Sequence, residues 1–429
     1  MSNTIKRLLA YSVILFFPFC SLGQGAASEG LGTSTPAMEP VISTMKVSEH
    51  LYSWGQLGGM TADRLGFVYV ANFSDAVWRI NPLGKATMIT DGLYGASGNT
   101  IDEQGNLYQA SFFGNTITRI TRFGETSTFA EEGLNGPVGM VFDSDKNLYV
   151  CNCNDNSIIK IAPDKSTSVF ASGALFNCPN GIAIDGEGNF MVVNFGNDHM
   201  VKISPKGAVS KFATVGQSEG NAHLVFAKNY FYVTKFKTNT LYKVDPEGNA
   251  TVVAGSFSTP GHEDGLASKA TFHKPNGITK SPTGQTLYLN TLVGESGSGK
   301  PTSITVRKVE LVSLSRIIKN TLETNGLDAA VEAYQNYKAD PGRKFEDTAA
   351  EIATMAWSFM SAGKFNEALK FFQLNAESYP DRWRSHFNLG DVYKLFQQKE
   401  NALAAYRKAL ELSPGNETII GKIAELDQD

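Results

Sequence analysis

Asparagine recurs at particular places along this 429-residue chain. Asn72, Asn152 and Asn194 close one set of similar segments, with Lys235 at the same place in a fourth, and Asn180, Asn221 and Asn276 open a second set. Amide side chains offer carbonyl oxygens and N–H donors without charge. Grouped around one lysine, they suit a polyhydroxyl ligand or, through their oxygens, a hard cation. His199, His223, His262 and His273 fall in loops or strand starts of the same segments, close in sequence to Asp198, Glu263 and Asp264. Imidazole beside carboxylate can ligate a transition metal or act as a general base. No paired spacing of the His-Glu-x-x-His kind is present, so no catalytic residue is assigned.

The elements that must position these side chains come from a repeat of about 41 residues. Similar segments centre on Tyr69, Tyr108, Tyr149, Met191, Tyr232 and Tyr288. Each unit reads as four short strands. The first starts at a Pro-x-Gly step, as at Pro137, Pro179 and Pro275, and ends in an acidic turn such as that at Asp143 or Asp185. The tyrosine-centred strand returns, a third follows, and a fourth ends near a Phe-Ala pair. Four strands per unit, repeated radially, predict an all-β six-bladed β-propeller. The sixth unit has no fourth strand of its own. Repeat phase places the missing one at about residues 43–49, ahead of the first unit, where it closes the ring and removes a sheet edge.

In such a ring the starts of the first strands and the ends of the second strands meet on one face. The starts are Gly58, Ser97, Val138, Asn180, Asn221 and Asn276, and the ends are Asn72, Ser111, Asn152, Asn194, Lys235 and Thr291. All but Val138 are polar or glycine. The ligand-binding residues expected on this face are therefore Asn72, Asn152, Asn180, Asn194, Asn221, Lys235 and Asn276. Asparagine also favours turns and left-handed backbone, which is the competing explanation. His223 falls in the column of Met60, Met140, Ile182 and Ile278, the place of a core residue.

Over about residues 43–311 these features resemble NHL-repeat propellers and the gluconolactonase/regucalcin-like family. The most specific piece is segment 255–277, with its Gly-rich turn, Asp264-Gly265, an alanine, Phe272 and Pro275-Asn276-Gly277. The lactonase resemblance implies a divalent cation, calcium or zinc, held by a Glu on the first blade, an Asn at a Pro-Asn-Gly start and an Asp one blade later. It also implies an Asn-Asp pair that contacts substrate. Asn180 matches the Asn ligand and is the metal residue this resemblance implies. The Glu position falls at Gly58, the pair at Val138-Gly139 and the Asp at Asn221, so the charge that would hold a metal or activate water is missing.

Glycine drops sharply after residue 313, from 35 of the chain's 41 before it to 6 after. There the hydrophobic period changes from 2 to 3.6. Leu389-Gly390, Tyr393, Ala402, Tyr406, Ala409 and Pro414, with an earlier copy at Ala356, Phe359, Ala368, Phe372 and Pro380, resemble tetratricopeptide repeats. A degenerate helical pair (316–322 and 327–338) precedes them and a capping helix (417–426) follows. The domains expected are a propeller at 43–311 and an all-α tetratricopeptide-repeat domain at 313–429. The second implies a protein partner.

Lys+Arg of 38 against Asp+Glu of 42 gives a net charge of −4, with no electrostatic reason for nucleic acid as a partner. Lys6 and Arg7, an apolar run at 8–19 and small residues at Ser21 and Gly23 read as a secretory signal over 1–23. Residues 24–42 read as a disordered lead-in. The mature chain is expected to be secreted or periplasmic and to have no stable membrane span. Three cysteines then remain, and Cys153–Cys178 is the preferred bridge, with Cys151–Cys178 the other pairing. Together these features point to an exported propeller–helical-repeat scaffold that binds a small polar or sugar-like ligand or a protein. A metal-dependent hydrolase of the lactonase type is the alternative.

Overall fold

The computed structural model describes residues 39–294 and 301–428. The expected signal peptide and most of the expected lead-in lie outside them. The described chain forms two compact units, one ending at Val312 and one starting at Ser313.

The first unit is a six-bladed propeller built from five four-stranded antiparallel sheets and one six-stranded sheet. Blade 2 shows the pattern, with strands Ala96–Ile101, Leu107–Ser111, Thr116–Ile120 and Thr126–Ala130 paired in sequence order. The acidic turns set each first hairpin. Asp102 Oδ1 accepts from the backbone N–H groups of Gln104 and Asn106 at 2.9 and 2.8 Å, and its Oδ2 accepts from the Asn106 amide at 2.8 Å. Asp143 with Asn147 and Asp185 with Asn189 repeat this arrangement. These carboxylates organise turns, as short polar side chains do when they bond to backbone two to four residues on.

At the centre the first strands pack backbone against backbone. A Cβ placed on Gly98 would lie 2.2 Å from Val138 O, and one on Gly59 would lie 2.8 Å from the Gly98 Cα. Gly139, Gly181 and Gly277 are equally tight, with first contacts of 2.3 to 2.7 Å. Only glycine fits a strand that approaches another so closely. His223 takes this place in blade 5. Strand register shows why: Leu224 pairs with Val233 as Ile182 pairs with Val192 and Met140 with Val150. His223 therefore aligns with Gly181 and Gly139, and Leu224 holds the core place expected for the histidine. By the same register Asn221 pairs with Lys235 as Pro179 pairs with Asn194, so Ala222, not Asn221, is the counterpart of Asn180. Blade 5 lacks the glycine that marks this phase in the other five blades, and its polar residue sits one position early.

Ring closure also differs in detail from the expectation. The strand that completes blade 6 is Val41–Thr44, not 43–49, and it pairs with both Gly265–Leu266 and Thr302–Glu310. A further short strand, Leu51–Ser53, also joins Thr302–Glu310. The expected lead-in thus ends earlier, for Glu39 already accepts from the Ser268 backbone and hydroxyl at 2.8 and 3.0 Å. Arg307, with no side-chain exposure, clasps this seam. Its guanidinium donates to Asp264 Oδ1 at 2.7 Å and to the carbonyls of Glu263 and Thr271, while Asp264 accepts from the Thr44 backbone and hydroxyl. Between blades, separate apolar clusters form the core; Tyr149, Phe176, Phe190 and Val201 belong to one of them.

The second unit has seven α-helices: α1 Leu314–Asn325, α2 Leu327–Ala339, α3 Ala349–Ser361, α4 Phe365–Ser378, α5 Trp383–Leu395, α6 Lys399–Leu412 and α7 Glu417–Gln428. Gly390 of α5 lies against Tyr406 of α6, where a Cβ would come within 2.6 Å of the ring, so the small residue permits the close crossing. Ile419 and Leu426 of α7 cover Ala402 and Tyr406, closing the array. No described helix is long and apolar enough to cross a membrane.

The Arg307 clasp yields a prediction. Asp264→Ala leaves a buried guanidinium short of its counter-charge and is expected to cost about 2–3 kcal/mol, a discount on a fully buried pair because Asp264 itself is partly exposed. Urea unfolding measures it, with Asp264→Asn expected to fall in between.

Candidate functional site

The seven residues expected to bind a ligand are all buried. Asn180 Nδ2 donates to Ala222 O at 2.7 Å, across to the next blade. Asn276 Nδ2 donates to Leu57 O and Gly58 O at 2.6 and 3.0 Å, joining blade 6 to blade 1. Ser97 Oγ makes the same kind of link, to Pro137 O at 2.7 Å. Asn72 organises its own loop, accepting at Oδ1 from the N–H groups of Ser74, Asp75 and Ala76. Asn152 and Asn194 reach up to loop carbonyls, Gly133 O and Leu175 O, each at 2.8 Å. Their Oδ1 atoms are buried without a partner, suited to an ordered water. Asn221 Oδ1 accepts from Lys235 Nζ at 3.0 Å.

Lys235 is fully buried, and its ammonium also donates to Val215 O and Ser218 O. Three neutral acceptors match its three donors. Burial pushes its pKa down to about 8, against the opposing pull of Asp198. Of the remaining positions, Thr291 bonds Thr305 at 2.8 Å, and Val138 and Ser111 are buried. Gly58 has no room for a side chain, since a Cβ would lie 2.3 Å from Ala96 O. On this face Asn180, Asn276 and Ser97 thus link neighbouring blades, while Asn72, Asn152, Asn194 and Lys235 hold loop backbone.

Of the four histidines, His262 and His273 come together, with ring centroids 5.9 Å apart. Burial, then the neighbouring imidazole, lowers the pKa of His262. His199 lies 3.8 Å from Asp198. Burial pushes the His223 imidazole down to about 4. Among the described residues no three His, Cys, Asp or Glu side chains converge to hold an ion. Asn180 has its amide nitrogen on a neighbouring strand and no carboxylate beside it at Gly58 or Gly139, so the calcium or zinc site implied by the lactonase resemblance finds no matching donor set here. Cys153 is bonded to Cys178, and Cys151 is buried and free, its thiol pushed up in pKa by burial.

What this face does present lies one residue further along the column. Phe73, Phe112, Phe195 and Phe236 each follow a second-strand end and stand partly exposed in the loops above. Phe112 joins Phe73, Phe113 and Tyr94 in a cluster with neighbouring ring centroids 5.1 to 5.9 Å apart. The aromatic recurrence was visible in the repeat. Its exposure was not, because an aromatic beside a strand end fits a core equally well.

Comparison with known proteins supports the fold of each unit. A tetratricopeptide-repeat family model matches residues 384–416. The propeller is similar to an auxiliary nutrient binding protein from Bacteroides ovatus, at 16% identity and TM-score 0.52, over 63% of this chain and 76% of that one. It is also similar to virginiamycin B lyase from Staphylococcus aureus, at 15% identity and TM-score 0.46, over 64% of this chain and 100% of that one. A gluconolactonase from Xanthomonas campestris aligns at 15% identity and TM-score 0.48, over 67% and 99%. At these identities the likeness is one of fold alone. A search of curated proteins found no match.

His223 supplies a test of the buried axis. Its imidazole titrates near 4 in the folded chain against 6.5 as the ordinary value, so the unfolded chain binds the extra proton between them. The stability contribution is complete above pH 6.5 and is lost as pH falls toward 4. His223→Gln is expected to flatten this part of the acid limb in urea unfolding measured from pH 4 to 7, while wild type steepens.

Proposed function

We propose that the chain is an exported binding scaffold. Its propeller recognises a small polar or sugar-like ligand, or a protein, through the loops above the amide column, and its helical repeats dock a protein partner. The observation that carries this reading is the bonding of the amides: the residues best suited to grip a ligand or ion at the axis use their donors on neighbouring strands and loop backbone. Recognition then falls to the loops, where aromatic and amide side chains are exposed. The tetratricopeptide match supports a protein partner, since such arrays are recognition surfaces. The similar fold of the auxiliary nutrient binding protein from Bacteroides ovatus supports a binding role. The Cys153–Cys178 bridge fits an oxidising compartment and supports export to the periplasm or medium.

The alternative is a metal-dependent hydrolase of the lactonase type, for which Asn180 is the one matching residue. The two readings separate by metal analysis of the purified full chain and of Asn180→Ala, followed by a panel of sugar lactones. The scaffold reading expects substoichiometric calcium and zinc in both proteins and no hydrolysis above the buffer rate. Stoichiometric metal that is lost in the variant, together with turnover, would overturn it.

A further inference from the structure

The exposed aromatic cluster lies on blades 1 and 2, on loops whose backbones are hydrogen-bonded to one another. Phe73 adopts a left-handed φ of 56°, a strained state for a bulky residue, and is pinned there by its N–H donating to Ala96 O at 2.9 Å. The N–H groups of Phe113 and Gly114 both donate to Tyr94 O at 3.2 Å, fixing the two loops against each other. Gly95, at φ 80°, leaves the space that the Phe113 ring fills; a Cβ there would lie 2.7 Å from the ring. Yet 68% of Tyr94 and 52% of Phe113 remain exposed. Rings carried on a hydrogen-bonded backbone and left open to water form a platform whose loops have little backbone entropy still to lose on binding.

A polar rim adjoins the platform at one point. The position a Cβ on Gly136 would occupy lies 3.1 Å from a ring carbon of Phe112 and 2.6 Å from the Asn154 amide nitrogen. The missing side chain thus lets the Asn154 amide and the Phe112 ring edge close together over the loop backbone. Asn154 donates to Asn135 Oδ1 at 3.1 Å, and Asn135 donates to Asp155 Oδ1 at 2.5 Å. Asn115 accepts from the Gly136 N–H at 2.8 Å. This chain leaves Asn154 Oδ1 and Asn115 Nδ2 with capacity to spare. The disulfide at Cys153, next to Asn154, anchors the loop.

We propose that this aromatic platform and its amide rim form a binding site for a neutral carbohydrate. A pyranose ring presents C–H groups on its faces and hydroxyls at its rim. Phe113 and Tyr94 match the first, and the Asn154, Asn115 and Asp155 groups match the second. No cation belongs to this set, which favours an uncharged sugar over a phosphorylated one. The inference rests on the binding-scaffold reading and names the ligand class for its propeller.

The test is calorimetric titration of the full chain with neutral tetrasaccharides of glucose, xylose, mannose and N-acetylglucosamine, with a proline-rich peptide as a further probe. Variants are Phe113→Ala, Tyr94→Ala and Asn154→Ala, with Phe113→Trp as the conservative change, and thermal unfolding checks that each is folded. Saturable binding of at least one saccharide is expected, weakened about tenfold or more by the alanine variants and kept by the tryptophan. Binding that is indifferent to all three alanine variants overturns this site while leaving the binding scaffold standing. Failure of every saccharide overturns the ligand class, as does peptide binding lost in the same variants.

Discussion

Six first strands meet at the propeller axis, and in five of them glycine stands where they touch because no side chain fits between neighbours. Most of the described architecture follows from that approach. Glycine at 59, 98, 139, 181 and 277 lets one strand's Cα lie against the next strand's backbone. Carbonyls crowded at the axis need donors, and those come from side chains one place before the glycine: Ser97, Asn180 and Asn276. Polarity at the axis is therefore a requirement of close packing, since a buried carbonyl without a donor carries a cost of about 1–3 kcal/mol. Lys235 extends the same logic in blade 5, satisfying two loop carbonyls and Asn221 from a fully buried ammonium.

The loops that follow each second strand stand above this hydrogen-bonded axis. They carry aromatics on four blades, with Cys153 in the corresponding place on blade 3, where the disulfide ties blade 3 to the loop entering blade 4. The helical unit is built from paired helices and a capping helix, an architecture suited to a protein partner. Two repeat modules in one chain fit a protein that brings partners together.

Much of the fold was legible because repetition averages over local ambiguity. Tyr69, Tyr108, Tyr149 and their counterparts mark the second strands, and the acidic turns mark the hairpins, so the number of blades follows from the number of units. The alignment slipped where the marker was missing. Blade 5 has His223 where every other blade has glycine, and matching Asn221 to Asn180 by residue type displaced both it and His223 by one position. The closing strand was misplaced for a related reason, since 41–44 belongs to no complete unit and its register is set by Thr302–Glu310. The bridge was legible because Cys153 and Cys178 fall at the same end of adjacent blades. The site was less so. An asparagine in a repeat column declares that an amide is needed, but a donor for a carbonyl and an acceptor for an ion look identical until the partner strand is in place.

That difference is measurable by exchanging the amide for its acid. Asn180→Asp and Asn276→Asp keep size and shape but remove the N–H donor and set a carboxylate against backbone carbonyls. If these residues hold the blades, each variant should lose about 3 kcal/mol or more of unfolding free energy at neutral pH, and calcium should not restore it. Unchanged stability, or an unfolding midpoint raised by calcium in the acidic variants, would contradict a structural amide column and return the axis to the role of a binding site.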